Sequence, residues 1–497
     1  MQKFREVYVV GAGIGGIAVS VFLAKQGYQV TVFEKNESPG GRCGKIEKDG
    51  HRFDIGATLL MMTHTYENIY RLLDKDLFRE IELQKIDPIY KIIDTENKHI
   101  SFTPDLSLMQ SQLEHLEKGS FDNFLLYMLQ SIKNYRWAMQ NIIDKNFLKP
   151  TDFFTPGNFL TLLKINALSN HVRHTKRFFR SELLTTTFTF QNIYVGQNPF
   201  NAPAIFSLLP FVELTEGVYY PKGGMYSIIE NLVKIAQENG VKFEFNRTVN
   251  EIIIHDKKAI GLKFEDGSSV HQADMVIANA DLPYVYQSLL PSDPMIKRLE
   301  KMDYTCSALM FYWAMDKEYK EIDMHNVFLS SDYKENISKV FNEKTFPAEP
   351  SFYVLSPVKV DRTAAPEHHD SLTVIVPIGH IDKKKEYDWE TIKNNIRNSV
   401  INRLEKEGLH EFRKHIKFEI CFTPSTWQSR LNLTRGATFG SLSHNIMQMG
   451  YMRPHNRHKK YHNLYFVGGS THPGNGLPMA LLSAKLVAER IQAEHNP

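Results

Sequence analysis

Two glycine-rich turns stand at opposite ends of this 497-residue chain. The first lies in Val7 to Gly16 (VYVVGAGIGG), where an apolar strand feeds a turn that opens a helix. The second lies in Leu464 to Met479 (LYFVGGSTHPGNGLPM), again strand, turn and helix. One such turn says only that a nucleotide can bind. Two say that a long cofactor is gripped at both ends, so distant segments must share one α/β unit. The economical cofactor is FAD, with its pyrophosphate on the first turn and its ring facing the last.

The first turn carries Gly11, Gly13 and Gly16 as G-x-G-x-x-G. Gly11 allows the tight turn, Gly13 lets backbone approach a pyrophosphate, and Gly16 allows close helix–strand packing. The helix N-terminus adds N–H donors for the anion. Ile14, Ile17, Ala18, Val21 and Phe22 give that helix one apolar face. Gly27 ends it, and Val30 to Phe33 form a second strand closing on Glu34, placed to hold an adenosine ribose. An acid there disfavours a 2′-phosphate, which argues against NADP. This turn does not by itself separate FAD from NAD. The Gly40-Gly41-Arg42 turn points to FAD, because it returns a basic group towards the pyrophosphate. Phe53 to Thr58 reads either as a loop running back to the ring or as a turn with an Asx cap.

At the ring end, Gly474 and Gly476 let backbone approach a flat ring, and Pro478 suits the first turn of a helix. The positive end of that helix dipole would favour electron density on the ring. His472, set among Pro and Gly, reads as a structural hydrogen-bonding group rather than a base.

Between the ends, a second α/β block starts near residue 218. Met225, Ile228, Ile229, Leu232, Val233 and Ala236 share a helix face, Gly240 ends that helix, and a strand follows over 241–245. Short strands are expected at 252–254 and 259–265 with an Asp266-Gly267 turn, then a parallel strand at 275–278. The fold class is therefore α/β: a Rossmann-like FAD-binding domain from 1–100, 216–290 and 426–497, with an inserted α+β substrate domain from 101–215 and 291–425.

Other readings are exclusions. A net charge of +3 is too small to suggest nucleic acid as a partner. Cys43, Cys306 and Cys421 show no metal-like spacing and no disulfide framework, which points to a reducing cytoplasm. The first strand begins too early to leave room for a signal peptide. No run approaches the roughly 18 apolar residues a membrane span needs, so any membrane contact is peripheral.

With these motifs in hand, the chain resembles the FAD-dependent carotenoid desaturases, the bacterial phytoene desaturase family, over nearly its whole length. Glu34-Lys35, Gly40 to Arg42 and Asp54 to Gly56 carry the likeness early. Val195 to Phe200, Gly217 to Gly224 and Ala278 to Asp281 carry it in the middle. Phe439-Gly440, Arg453 to Arg457 and Gly468 to Pro478 carry it late. The resemblance implies an amine-oxidase-like two-domain flavoprotein acting on CH–CH groups of a long polyene. It further suggests the hydroxycarotenoid 3,4-desaturase branch. The cofactor-binding residues expected are Gly11, Gly13, Gly15, Gly16, Glu34, Lys35, Gly41, Arg42, Gly56, Thr58, Leu59, Val249, Gly469, Gly476, Leu477, Pro478 and Met479. Ser470, Asn475, Met479 and Met324-His325 depart from the family pattern and bear on the substrate more than on the cofactor.

The implied reaction takes two hydrogens from a C–C bond beside the polyene of an acyclic or monocyclic carotenoid, with hydride going to flavin N5. Charge left on such a chain spreads along it, so a weak base suffices, and no catalytic base is assigned. Oxygen or a quinone is the expected electron acceptor. The implied location is the inner face of the cell membrane, held peripherally. The basic stretch His171 to Arg180 with the apolar stretch Ala202 to Val212 reads either as a monotopic membrane patch or as a solvated helix followed by core. The competing functions are an amine-oxidase-like enzyme, a carotenoid isomerase or saturase, and a carotenoid-binding protein with structural FAD.

Overall fold

The computed structural model describes residues 5–96 and 98–495. Its nucleotide sheet has five parallel strands, ordered Leu464–Phe466, Met275–Ala278, Glu6–Val10, Gln29–Phe33 and Lys242–Glu244. Val7 pairs with both Val30 and Met275, and Val276 pairs with Leu464. The last strand of the chain thus lies one strand away from the first. Parallel strands are covered on both faces, and these read as near-continuous Val, Ile and Phe. Helix Ile14–Lys25 packs on them between Tyr226–Glu238 and the terminal helix Leu477–His495.

The expected short strands are present as Val249–His255, Lys258–Phe264 and Ser269–His271, a three-stranded antiparallel sheet. Gly240 adopts φ 81° just after Tyr226–Glu238, the left-handed conformation in which glycine ends a helix without strain.

A seven-stranded sheet forms the second layer. Its order is Ile416–Phe422, Ser307–Met315, Asp370–Ile378, Phe352–Leu355, His325–Phe328, Tyr90–Ile93 and His99–Phe102. The segment division read from sequence needs one correction here. Residues 90–102 were assigned mostly to the nucleotide unit, yet both of their strands complete this sheet, through parallel pairing of Tyr90–Ile93 with His325–Phe328. Their alternating pattern fits either sheet, and only the tertiary pairing chooses.

Along Ser307–Met315 the period of two divides the work. Leu309, Phe311 and Trp313 pack in one cluster with Ile392, Ile396 and Val400 of helix Trp389–Lys406. Ala308 and Met310 face the opposite way and line a cavity. A helical layer, including Ser120–Ala138 and Leu208–Glu216, closes that cavity from the other side.

The stretch Ala202 to Val212, one half of the expected membrane patch, is buried throughout. Ile205, Phe206, Leu208 and Leu209 form cavity wall instead. The core alternative holds for it, because the helix it forms is sandwiched between Ser120–Ala138 and the cavity.

Candidate functional site: a two-ended cofactor cavity

The cavity has a volume of about 500 Å³ and runs from the first glycine turn to the last. Of the expected cofactor residues, Gly11, Gly13, Gly15, Glu34, Lys35, Gly41, Arg42, Gly56, Thr58, Leu59 and Val249 line it from one side of the sequence. Gly469, Gly476, Leu477, Pro478 and Met479 line it from the other. Gly16 is the exception. It lies beneath the turn, where an added Cβ would sit 2.2 Å from the Gly11 carbonyl oxygen.

The first turn is held by three bonds. Gly11 N–H donates to the Phe33 carbonyl at 2.8 Å, which fixes the turn to the second strand. Gly40 N–H donates to the Ala12 carbonyl at 2.8 Å, and this draws the Gly40-Gly41-Arg42 turn across it. Glu34, buried at the end of its strand, accepts the Ala12 N–H at 2.8 Å through Oε2 and the Asn36 N–H through Oε1. Gly13 caps helix Ile14–Lys25 with no side-chain acceptor, so the helix N-terminus meets the cavity with donors to spare. That donor set suits a pyrophosphate. We expect Glu34→Ala to weaken flavin retention by about 1–3 kcal/mol, through loss of a charged hydrogen bond. Flavin absorbance per protein after dialysis measures it.

Lys35 donates to the Ser429 carbonyl at 2.9 Å and to Asn432 Oδ1 at 3.0 Å, so it closes the rim of the cavity. Arg42 donates to the Thr438 carbonyl at 3.2 Å, and its Nη2 lies against Gly469. The basic group of the second turn therefore reaches the ring end of the site. Within Phe53 to Thr58 both readings apply to different residues. Asp54 caps helix Tyr226–Glu238, accepting from Met225 N–H at 3.1 Å, Tyr226 N–H at 3.3 Å and Tyr220 OH at 2.7 Å. Gly56 and Thr58 face the cavity.

At the last turn, a Cβ on Gly476 would meet only Pro478 Cδ, at 3.8 Å, so that side is left clear enough for approach to a flat ring. Gly474 does not serve the ring. A Cβ there would lie 2.2 Å from His444 Nε2, so its bareness makes room for that imidazole. His472 is pinned to the Lys145 carbonyl at 2.9 Å through Nε2, consistent with a structural hydrogen-bonding group. Burial pulls its pKa down to about 4, which keeps it neutral.

Several residues that organise the site carry no motif of their own. Asn279 Nδ2 donates to the Gly11 carbonyl at 3.0 Å, and its side chain lies against Gly13, Gly15, Gly16 and Gly468. It thus touches both glycine turns. Asp281 accepts from Ser470 Oγ at 2.6 Å and from Thr434 N–H at 3.0 Å. Only the Ala278-Asn-Ala-Asp281 run hinted at either. Arg453 opens the Arg453 to Arg457 run, which gave no hint of its partners, and His444 is paired to the site by tertiary contacts alone.

Charge on the cavity wall is confined to the cofactor part: Glu34, Lys35, Arg42, Arg247 and Asp281. Beyond Met479 the walls are Ile142, Ile205, Phe206, Leu208, Leu209, Val327, Leu329, Phe352 and Ile375, with Tyr194, Tyr333 and Tyr353 among them.

Near Tyr194, Glu213 is fully buried on helix Leu208–Glu216. It accepts from Tyr90 OH at 2.5 Å and Gln191 Nε2 at 3.2 Å. Burial raises its pKa from 4.5 to about 8. The folded protein therefore keeps a proton that the unfolded chain releases above pH 4.5, so this group costs stability as pH rises from about 4.5 to 8. Glu213→Gln should remove that slope. Relative to the variant, the parent is expected to lose on the order of a few kcal/mol over the window, read from urea midpoints at a series of pH values.

Comparison with known proteins agrees with this geometry. Residues 14–492 match the family of flavin-containing amine oxidoreductases. A zeta-carotene-forming phytoene desaturase of Myxococcus xanthus is 37% identical over 489 residues, covering 98% of this chain and 94% of that protein. A 4,4′-diapophytoene desaturase of Staphylococcus haemolyticus is 34% identical over 494 residues, covering 97% and 98%. Among solved structures, an oxidoreductase from Methanosarcina mazei superimposes with a TM-score of 0.65 at 16% identity, over 98% of this chain and all of that one, a likeness of fold.

Proposed function

Because the chain belongs to the flavin-containing amine oxidoreductases and is an FAD-dependent oxidoreductase, we propose that it desaturates a carotenoid. The observation that carries this reading is the confinement of charge to the cofactor end of the cavity, with hydrocarbon walls beyond. A long neutral polyene loses little on entering such a space and gains about 25 cal/mol for each Å² of apolar surface removed from water. The names of the relatives at 34–37% identity point the same way. The substrate favoured is acyclic or monocyclic, with a 1′-hydroxylated carotenoid as the finer assignment.

FAD, when bound, would supply the two-electron oxidation. The chain's part is to hold and align. The first turn and Glu34 would hold one end of the cofactor, and the stretch from Gly469 to Met479 would wall its ring. The apolar walls hold the polyene beside that ring and exclude water. No carboxylate faces the hydrocarbon part of the cavity among the described residues. This fits proton loss from a charge-delocalised chain without a strong base. Oxygen or a quinone then takes the electrons.

The test is a panel of carotenoids fed to the holoenzyme, with products separated by chromatography and weighed by mass spectrometry. Desaturation gives a product two hydrogens lighter and red-shifted, with anaerobic bleaching of the flavin. Bleaching by amines alone would select amine oxidation instead. A cis–trans change without oxidation would select isomerisation, and polyene binding without flavin reduction a binding protein.

The proposed location is the inner membrane surface, with docking through a face other than the stretch buried above. No described helix is long and apolar enough to cross a membrane. Leu148, Phe154, Phe159, Leu160, Leu163, Ile446 and Met447 are exposed, each by 44–65%. Phe154 packs on Tyr451 at 5.7 Å, and Phe153 lies against Gly450, so the two segments adjoin. Behind them Ile142, Met449 and Gly450 line the cavity. Exposed Lys149, Lys164 and Arg173 provide cations for anionic head groups. The double substitution Phe159→Asp, Leu160→Asp is expected to cut flotation with anionic liposomes at least tenfold, at unchanged flavin content. Burying each side chain is worth about 1.5–3 kcal/mol. Undiminished flotation would remove this face from the proposal.

A further inference from the structure

Arg453 is a guanidinium sealed inside the protein, only 1% exposed. Nothing in the cofactor chemistry above uses it. Its Nε donates to the Thr471 carbonyl at 2.8 Å. Nη1 donates to the carbonyls of Ser443 and Gln448, each at 3.1 Å. Nη2 donates to the Gly469 carbonyl at 2.6 Å and Asn475 Oδ1 at 3.2 Å, with a longer bond to Leu442. Every acceptor is neutral. Gly469 and Asn475 form cavity wall on their other side.

A buried cation is ordinarily paired with a carboxylate, because desolvation costs several kcal/mol per ion. Here burial alone acts on the guanidinium, and no carboxylate offsets it among the described residues. Burial lowers its pKa to about 9, so it stays charged at neutral pH. The neighbouring groups leave that charge standing. Arg42, on the far side of Gly469, has Asp281 to balance it. His444, whose Nε2 accepts the Asn475 N–H at 3.1 Å, is held neutral by burial and by Arg453 itself. The ring end of the cavity therefore carries one unbalanced positive charge, behind a single layer of backbone, beside the N-terminus of Leu477–His495.

We propose that Arg453 is a positioning residue for the flavin: it fixes the wall from Gly469 to Asn475, and its unbalanced charge raises the reduction potential of the ring held there. Electron density added to the ring is stabilised by a nearby cation in a low-dielectric surrounding, whereas the neutral oxidised ring gains little. The cofactor's affinity for hydride is thus set partly by a residue that need not touch it. This rests on the FAD assignment.

The experiment is a reductive titration of the holoenzyme against a reference dye, for the parent, Arg453→Lys and Arg453→Met. Flavin content is measured in parallel. Arg453→Met is expected to shift the reduced-to-oxidised ratio at least tenfold towards oxidised, about 30 mV for a two-electron couple. Arg453→Lys keeps the charge but not the fan of donors. It should hold the parent's potential while melting at lower temperature. An Arg453→Met protein that retains flavin at the parent's potential overturns the proposal, as does Arg453→Lys shifting as far as Arg453→Met. If Arg453→Met does not fold, Asn475→Asp decides, since a carboxylate on Nη2 should lower the potential in the same sense. An unchanged potential in that variant also overturns it. A parent protein without flavin would instead refute the cofactor assignment.

Discussion

Gly16→Ala should remove a large share of the protein's stability, although it adds a single methyl group to a helix. The Cβ would lie 2.2 Å from the Gly11 carbonyl oxygen, 2.8 Å from Asn279 Nδ2 and 3.1 Å from Asn279 Cβ. The first contact is with backbone, which cannot rotate away, and that backbone is tied to the second strand by the Gly11 N–H bond to Phe33. Relief requires the helix Ile14–Lys25 to lift from the sheet at its best-packed end. Overpacking of this kind costs about 3 kcal/mol or more, a large share of the roughly 5–15 kcal/mol that separates folded from unfolded domains. The usual gain of alanine over glycine in a helix, about 1 kcal/mol, falls well short. The fraction of soluble, cooperatively melting protein in a Gly16→Ala preparation measures the effect. Parent-like stability would mean that the turn is looser than described.

Gly13→Val should do the opposite: fold, and bind no flavin. Gly13 has φ −73° and ψ 168°, a conformation open to any residue. Its Cβ would meet only the Asn279 side chain, Nδ2 at 2.9 Å and Cγ at 3.9 Å, and no backbone. The isopropyl group then occupies the space before the helix N-terminus where the pyrophosphate must come. A loss of at least a hundredfold in FAD affinity is expected, about 2.7 kcal/mol. The purified variant should be colourless, with a cooperative melt that added FAD no longer raises. A yellow Gly13→Val protein would displace the pyrophosphate from the first turn.

The pair shows which parts of the site could be read from residues in order. Local chemistry was legible. A strand, three glycines, a periodic helix and a terminal acid define the first turn, because each acts on neighbours a few positions away. The ring-end turn was legible for Gly476 and misread for Gly474, whose constraint is an imidazole thirty residues upstream. Asn279 touches both turns and Arg453 holds the last one, each through partners that only the fold brings near. The basic and apolar stretches that follow each other at 171–180 and 202–212 offer a membrane patch in sequence alone. Proline-broken Ala202 to Val212 is apolar because it is core. One group of exposed apolar residues lies between Lys149 and Lys164, with Phe159, Leu160 and Leu163 exposed on a short helix.

The order of strands in the nucleotide sheet has a consequence for biogenesis. The strand Leu464–Phe466 and the helix Leu477–His495 are made after every other strand of the sheet, yet they complete the unit that Glu6–Val10 begins. During synthesis the early βαβ piece waits with one flank uncovered, a state in which apolar surface invites aggregation and chaperones. The two-ended cofactor site cannot close until Leu464–Phe466 and Leu477–His495 have joined that piece, so flavin is seated on a nearly whole unit rather than on the early βαβ piece alone.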